Sequence, residues 1–317
     1  MADVYHAGEH LVQARAGLLE QARSASRTIR GQIPGVAREF LEQQVTLVIG
    51  AADDRGRVWA SLLTGPRGFI KVSGSAAIDV AALPSPGDPL HARLTAPAGA
   101  PFQVGMIAIE PATRRRMRMN GRARPAPGGF RVELDQVYSN CPKYLTKRHP
   151  VPAGQPVEPG PVTTAGHLSE AQRALISRAD TFFVATADRE GDADASHRGG
   201  NPGFVEVTSP TTLRWPDYRG NAMFCTLGNI EASPAAGLIF PDWQTGGCLQ
   251  LTGVAATDWD PGHAAAVPGA ERMVEFTVHH VVEITGASPL RWTGAEYSRF
   301  NPPASARERL LDAGYQA

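Results

Sequence analysis

From Glu9 to about Arg30, the residues Leu11, Leu18, Leu19 and Ile29 recur near one face at 3.6-residue spacing, with Gly31 as a stop, which predicts an opening helix. A second short helix is expected over Val36–Gln43. The period then shortens. Val45–Gly50 is a nearly continuous apolar run, Asp53-Asp54-Arg55-Gly56 carries the residues of a hairpin turn, and Val58–Val72 follows as the next segment. Further short strands are expected at His91–Thr95, Val104–Ile109, Arg115–Arg122 and Phe130–Tyr138. The stretch Pro150–Gly166 holds five prolines and no apolar period, the composition of a semi-rigid linker. Helical spacing resumes at Ser169, which forms a capping-box pattern with Gln172, and runs to about Ala179.

After the linker the first half begins again. Thr46–Val72 and Thr181–Val207 align without a gap at a shift of 135, and ten of the 27 pairs are identical; chance gives roughly two or three at ordinary residue frequencies. Further on, Thr113–Ala123 faces Thr245–Ala255 at a shift of 132, and Gly105 and Gly237 keep that shift. The chain therefore reads as a tandem duplication of one domain. Many short strands with Gly/Pro turns point to a closed or split antiparallel barrel. The expected fold is mainly β (α+β), two tandem antiparallel split β-barrels forming a pseudo-dimer with short flanking helices. The expected division is 1–149 (helix plus first barrel), 150–166 (linker) and 167–317 (second barrel). A site between two diverged copies would be asymmetric.

Composition narrows the function. Lys+Arg and Asp+Glu are both 31, so no general electrostatic case exists for nucleic acid or a membrane surface. No run reaches the roughly 18 apolar residues of a membrane span. Asp3, Glu9 and Arg15 stand where a secretory leader needs an apolar centre, so a cytoplasmic location is expected. Three scattered cysteines, Cys141, Cys225 and Cys248, fit neither a disulfide framework nor a zinc site. His279-His280 on a strand point to opposite faces, so no metal site is expected. No Gly-x-Gly-x-x-Gly fingerprint or phosphate loop is present.

The divergence between copies points to chemistry. Where the first copy has Ser61-Leu62-Leu63-Thr64-Gly65, the second has Ser196-His197-Arg198-Gly199-Gly200. Arg offers a fork of donors to a phosphate and Gly lets an anion approach the backbone. The same residues also suit a Gly bulge with an exposed basic side chain. A strand over Ala222–Thr226, carrying Cys225 and Thr226, is expected to run into a Gly turn at Asn229, with hydroxyl and amide groups that suit a phosphate or equally cap their own turn. In the first copy Arg114, Arg115, Arg116 and Arg118 make a basic strand in which Arg116 and Arg118 share a face. A solvated edge strand protected by charge reads as well. Lys143 and Tyr144 follow; Cys141 has no base partner to make it a nucleophile.

Phe224-Cys-Thr-Leu-Gly-Asn229, Ser233–Pro241 and Gln250-Leu-Thr-Gly-Val-Ala255, in that order, resemble the pyridoxamine 5'-phosphate oxidase-like superfamily of FMN-binding split barrels, over about Phe182–Trp259 and more weakly over Gln44–Ala123. The resemblance implies an FMN between two barrels, touched by Ser196, His197, Arg198, Gly199, Gly200, Cys225, Thr226 and Gln250, with Asn229 in the phosphate turn. Ile230 and Glu231 replace the basic pair of the oxidase, which shifts phosphate neutralisation to Arg198, with His197 or Arg219, and argues against vitamin B6 oxidation. Arg118, the repeat counterpart of Gln250, and Lys143 would complete the site from the first copy. The expected function is an FMN-dependent oxidoreductase on an unassigned small molecule, with whole-chain homodimers open; the alternative is a non-catalytic carrier of flavin, deazaflavin or haem. Because Leu62-Leu63 offer no phosphate donor, one FMN per chain is expected.

Overall fold

A computed structural model describes residues 4–96, 100–152 and 159–303. Helices α1 (Ala7–Arg15), α2 (Leu19–Ser26) and α3 (Gly35–Glu42) precede strands β1 (Thr46–Ala52), β2 (Val58–Thr64), β3 (Ile70–Val72) and β4 (Ala77–Val80). Helix α4 (His91–Thr95) leads to β5 (Phe102–Glu110), β6 (Arg115–Ala126), β7 (Gly129–Ser139) and β8 (Lys147–Pro152). The second half runs β9 (Val162–Ala165), α5 (Glu170–Arg178), β10 (Thr181–Ala187), β11 (Ala193–Gly199), β12 (Glu206–Ser209), β13 (Thr212–Tyr218), α6 (Cys225–Ala232), β14 (Ala235–Pro241), β15 (Cys248–Asp258), α7 (Pro261–Ala265), β16 (Ala270–Ile284) and β17 (Leu290–Glu296).

The strand orders are β2-β1-β5-β6-β7-β4-β3 and β11-β10-β14-β15-β16-β13-β12, the same path twice. Register repeats as well as order. Thr46 pairs with Thr64 and Thr181 with Gly199; Gly50 pairs with Gly105 and Ala185 with Gly237. A bulge between Asn120 and Gly121 recurs between Thr252 and Gly253. The fold is two antiparallel split barrels in tandem, as the repeat implied. Helices α3 and α5 occupy equivalent places at a shift of 135, and α5 carries the expected Ser169–Gln172 capping box.

The barrels meet about a pseudo-twofold axis. The closest backbone approaches across the interface are made twice, by repeat-equivalent residues, the mark of an isologous interface. A Cβ on Gly237 would sit 2.6 Å from Trp59 Cα, and one on Gly105 would overlap Asp194, the counterpart of Trp59. Gly50 touches its own equivalent, Ala185, at 2.5 Å from a built Cβ. This explains why Thr46–Ala52 and Thr181–Ala187 are apolar runs instead of alternating strands: one face lines the barrel and the other lies at the interface, so both are buried. Core residues of both halves, Ile49, Trp59, Ala185 and Ile239 among them, form one cluster. The buried Arg148–Asp180 pair, at 3.1 and 2.6 Å, ties the end of the first half to the second.

Four local expectations are corrected. The opening helix breaks at Gly17 (φ 70°), leaving Leu11 and Leu19 54% and 47% exposed, so its leucine stripe is no core face. Instead α1 crosses to the second barrel, where His6 Nε2 meets Asn229 Oδ1 at 2.8 Å and Gln13 donates to the Met223 carbonyl at 3.0 Å. His91–Thr95 is helical, because Leu90 and Leu94, four apart, are the buried pair. The Arg-rich β6 is no edge strand: β5 and β7 flank it, and Met117 and Met119 fill the first barrel. The expected strand Ala222–Thr226 is the entry to α6, described below. The proline-rich stretch contributes β8, which pairs with β17, and β9, which pairs with β16; residues 153–158 of it lie outside the described residues. No described helix is long and apolar enough to cross a membrane.

Because backbone atoms stand where a Gly237 Cβ would go, no rotamer change can relieve the overlap. Gly237→Ala is expected to lower stability by about 1–3 kcal/mol or more, read from denaturant unfolding. An unchanged midpoint would contradict the tight inter-barrel approach.

Candidate functional site

Strand β11 carries the side chains that differ most from its counterpart β2, and helix α6 starts beside it. Ala222 and Phe224 take left-handed backbone, φ 62° and 60°. Asn221 Oδ1 accepts from the Met223 amide at 3.1 Å, and the Arg272 guanidinium lies 4.9 Å from the Phe224 ring centroid, so packing and a side-chain turn hold this conformation. The sharp entry starts a helix at Cys225 where a strand was expected. Its first turn has no side-chain cap, so its amides are open to an anion.

A polar chain links this turn to both barrels. Thr226 Oγ1 donates to Ser196 Oγ at 2.9 Å, and Ser196 Oγ donates to Asp194 Oδ2 at 3.2 Å. Asp194 also accepts from the Tyr138 hydroxyl at 3.3 Å and pairs with Arg118 from the first barrel. The buried carboxylate thus holds Arg118, Ser196 and Tyr138 in fixed positions, and its own charge is satisfied.

Three guanidinium groups converge on a cavity of about 270 Å³ between the barrels, from Arg116 and Arg118 on β6 and Arg198 on β11. Arg116 donates to the Cys141 carbonyl at 2.6 Å and meets His197 Nδ1 at 3.2 Å. The Nε atoms of Arg116, Arg118 and Arg198, and Nε2 of His197, are buried without a partner. Burial and the neighbouring Arg118 and Arg198 pull Arg116 down to about 9. Burial, then Arg116, Arg198 and Arg148, hold His197 well below the usual imidazole range, so it is neutral at pH 7 and cannot supply the phosphate charge it was expected to share. The arginine beside it fixes Nδ1 as the acceptor and leaves the proton on Nε2. Asp217 also faces the cavity, bound to Arg272 at 2.6 Å. Burial raises its carboxyl above the ordinary range.

Lys143 and Tyr144 border the cavity, and the Tyr144 hydroxyl donates to the Arg219 carbonyl at 3.1 Å. A Cβ on Gly199 would overlap the Tyr144 carbonyl oxygen, so this crossing requires Gly where the first copy has Thr64. Leu18 and Gln21 from the N-terminal helices complete the wall.

Ser196, His197, Arg198, Gly199, Cys225, Thr226, Arg118 and Lys143 come together here. Three expected residues do not. Gly200 packs on Phe204 beyond the strand end. Asn229 faces α1 and donates to Thr186 Oγ1 at 3.1 Å. Gln250 is on the other side of the pseudo-twofold. Arg118 of the first barrel reaches β11 of the second, so its counterpart Gln250 must reach β2 of the first. There it donates to the Ala60 carbonyl at 2.8 Å, Ser61 Oγ at 3.2 Å and Asp88 Oδ2 at 2.9 Å. That counterpart place is filled: Leu63 is fully buried and Ser61 donates to Asp88 Oδ1 at 2.6 Å. The expectation missed Asp194, Tyr138 and Asp217. Asp194 had a signal in the gapless repeat, since it replaces a tryptophan, Trp59. Among the described residues no group of three or more His, Cys, Asp or Glu could hold a metal.

A family model described as pyridoxamine 5'-phosphate oxidase matches residues 168–294. Similar solved structures include the HupZ protein of Group A Streptococcus (15% identical, TM-score 0.30, 35% of this chain and 90% of that one). A putative pyridoxamine 5'-phosphate oxidase from Lactobacillus delbrueckii is 18% identical, with TM-score 0.31, over 37% of this chain and 94% of that one. An FAD binding protein from Mycobacterium smegmatis is 15% identical, with TM-score 0.26, over 39% and 98%. No curated protein matches the chain.

Burial raises the Asp88 carboxyl from 3.8 to about 6. The folded state therefore holds this proton where the unfolded chain has lost it. The stabilisation is complete below pH 3.8 and is lost as pH rises through about 6, on the order of 3 kcal/mol in all. Unfolding free energies of the wild type and Asp88→Asn, measured from pH 4 to 7, are expected to diverge by that order, the wild type falling with rising pH. Parallel profiles would contradict a closed, dry counterpart site.

Proposed function

We propose that the chain, whose residues 168–294 match the pyridoxamine 5'-phosphate oxidase family model, binds one FMN between its barrels and acts as an oxidoreductase on a small molecule. The observation that carries this reading is the set of buried donors without acceptors, Nε of Arg116 and Arg198 and Nε2 of His197, beside the uncapped start of α6. Unpaired buried donors are costly, and like charges at Arg116, Arg118 and Arg198 repel. An anionic ligand offsets both penalties.

Arg198, Thr226 and the first amides of α6 would hold the phosphate, where a charged fork and helix amides favour an anion. Arg116 and Arg118 supply positive charge for an electron-rich ring, and Asp194 keeps Arg118 in place. Neutral His197 donates through Nε2 without adding charge. Lys143 and Tyr144 limit water at the cavity mouth. FMN, when bound, supplies the redox chemistry itself.

The purified protein is expected to carry a yellow pigment that dithionite bleaches and that is released as FMN on denaturation. Arg198→Ala is expected to weaken FMN binding by about 1.5–3 kcal/mol, the range for a charged hydrogen bond, in a fluorescence titration. A colourless protein that ignores added FMN would overturn the reading, and an unchanged dissociation constant would remove Arg198 from the phosphate site.

A further inference from the structure

A groove of about 660 Å³ opens beside the cofactor cavity and shares Arg116 and Asn140 with it. Its walls are Arg27 and Arg30 after α2, helix α3, and the residues that lead into and begin β6. Five arginines, residues 27, 30, 114, 115 and 116, line it, and among the described residues no carboxylate does. In a chain with 31 cationic and 31 anionic residues, this is a local segregation of charge. Arg114 is paired outside the groove with Glu296 at 3.0 Å and Arg115 with Glu110 at 2.8 Å. Arg27 and Arg30 are exposed and make no ion pair among the described residues. Between the arginines Val36 stands 89% exposed, while Phe40 and Met117 beneath are buried, the Phe40 ring under the Arg115 guanidinium at 5.2 Å from its centroid. The groove thus combines unneutralised charge with an exposed guanidinium plane and one exposed apolar side chain, and Arg116, whose Nε has no acceptor, stands at its junction with the cavity.

We infer that this groove binds the nucleoside diphosphate part of the second substrate, the diphosphate against Arg27 and Arg30 and the base against Val36 and the exposed Arg115 guanidinium. Guanidinium forks match phosphate oxygens, and a planar base stacks on a guanidinium plane. The assignment to a second substrate rests on the flavin reading above; the binding of a nucleoside diphosphate does not, and it involves no bond making.

The test is calorimetric titration of ADP into FMN-loaded protein and, separately, into flavin-free protein. One ADP per chain is expected in both forms, without FMN displacement, and with affinity falling as salt rises. Arg27→Glu/Arg30→Glu is expected to weaken ADP at least tenfold while FMN affinity stays within twofold. Arg27→Gln/Arg30→Gln, which removes charge from the same exposed positions without reversing it, is expected to fall between that variant and the wild type. No ADP binding to the wild type, binding indifferent to both double variants, or ADP that displaces FMN would overturn the inference. If ADP binds and depends on Arg27 and Arg30 but FMN does not bind, the flavin reading fails and the groove stands.

Discussion

The backbone contact of Gly105 with Asp194, repeated by Gly237 with Trp59, brings the barrels close enough for a side chain of each central strand to enter the other barrel. A Cβ at either glycine would hold the strands apart, and Arg118 would no longer meet Asp194, nor Gln250 the Ala60 carbonyl. The site between the barrels is therefore a consequence of packing at two glycines, and its symmetry is that of the interface.

Divergence then gives the two equivalent places opposite characters. On one side Arg118, Arg198 and His197 leave donors unpaired around an open cavity; on the other, Gln250, Ser61 and Asp88 satisfy one another and Leu63 fills the space. The neutral amide of Gln250 closes a hydrogen-bonded knot, whereas the charge of Arg118 needs a carboxylate on one side and leaves field over on the other. The N-terminal helices also act across the barrels, since α1 grips α6 through Asn229 while Leu18 borders the cavity.

The duplication was legible because register is conserved wherever both faces of a strand are buried: Thr46–Val72 and Thr181–Val207 align without a gap, and their pairings coincide. The Ser169–Gln172 cap was legible because it is local. His91–Thr95 misled because a five-residue helix has too few positions to show its period. Ala222–Thr226 misled because its short apolar run looks like a strand until the left-handed Phe224 redirects it. Arg198 and Arg118 stood out from the difference between copies, whereas Ser196, identical to Ser61, and Thr226 were carried over from the family likeness. Gln250 was misplaced because family likeness, taken residue by residue, carries no information about which of two equivalent sites a side chain enters; the twofold does. Tyr138 acts through tertiary contacts that no local pattern announces, and Asp194 shows only as the carboxylate that stands where the first copy has Trp59.

The central claim is one cofactor place in two barrels, and counting flavin per chain tests it most directly. After reconstitution with excess FMN and removal of the unbound fraction, flavin released by denaturation is expected to equal the protein in moles. A ratio near two would show that the counterpart place at Ser61, Asp88 and Gln250 opens to flavin, and a ratio near zero that the buried arginines await some other anion; either would contradict the account.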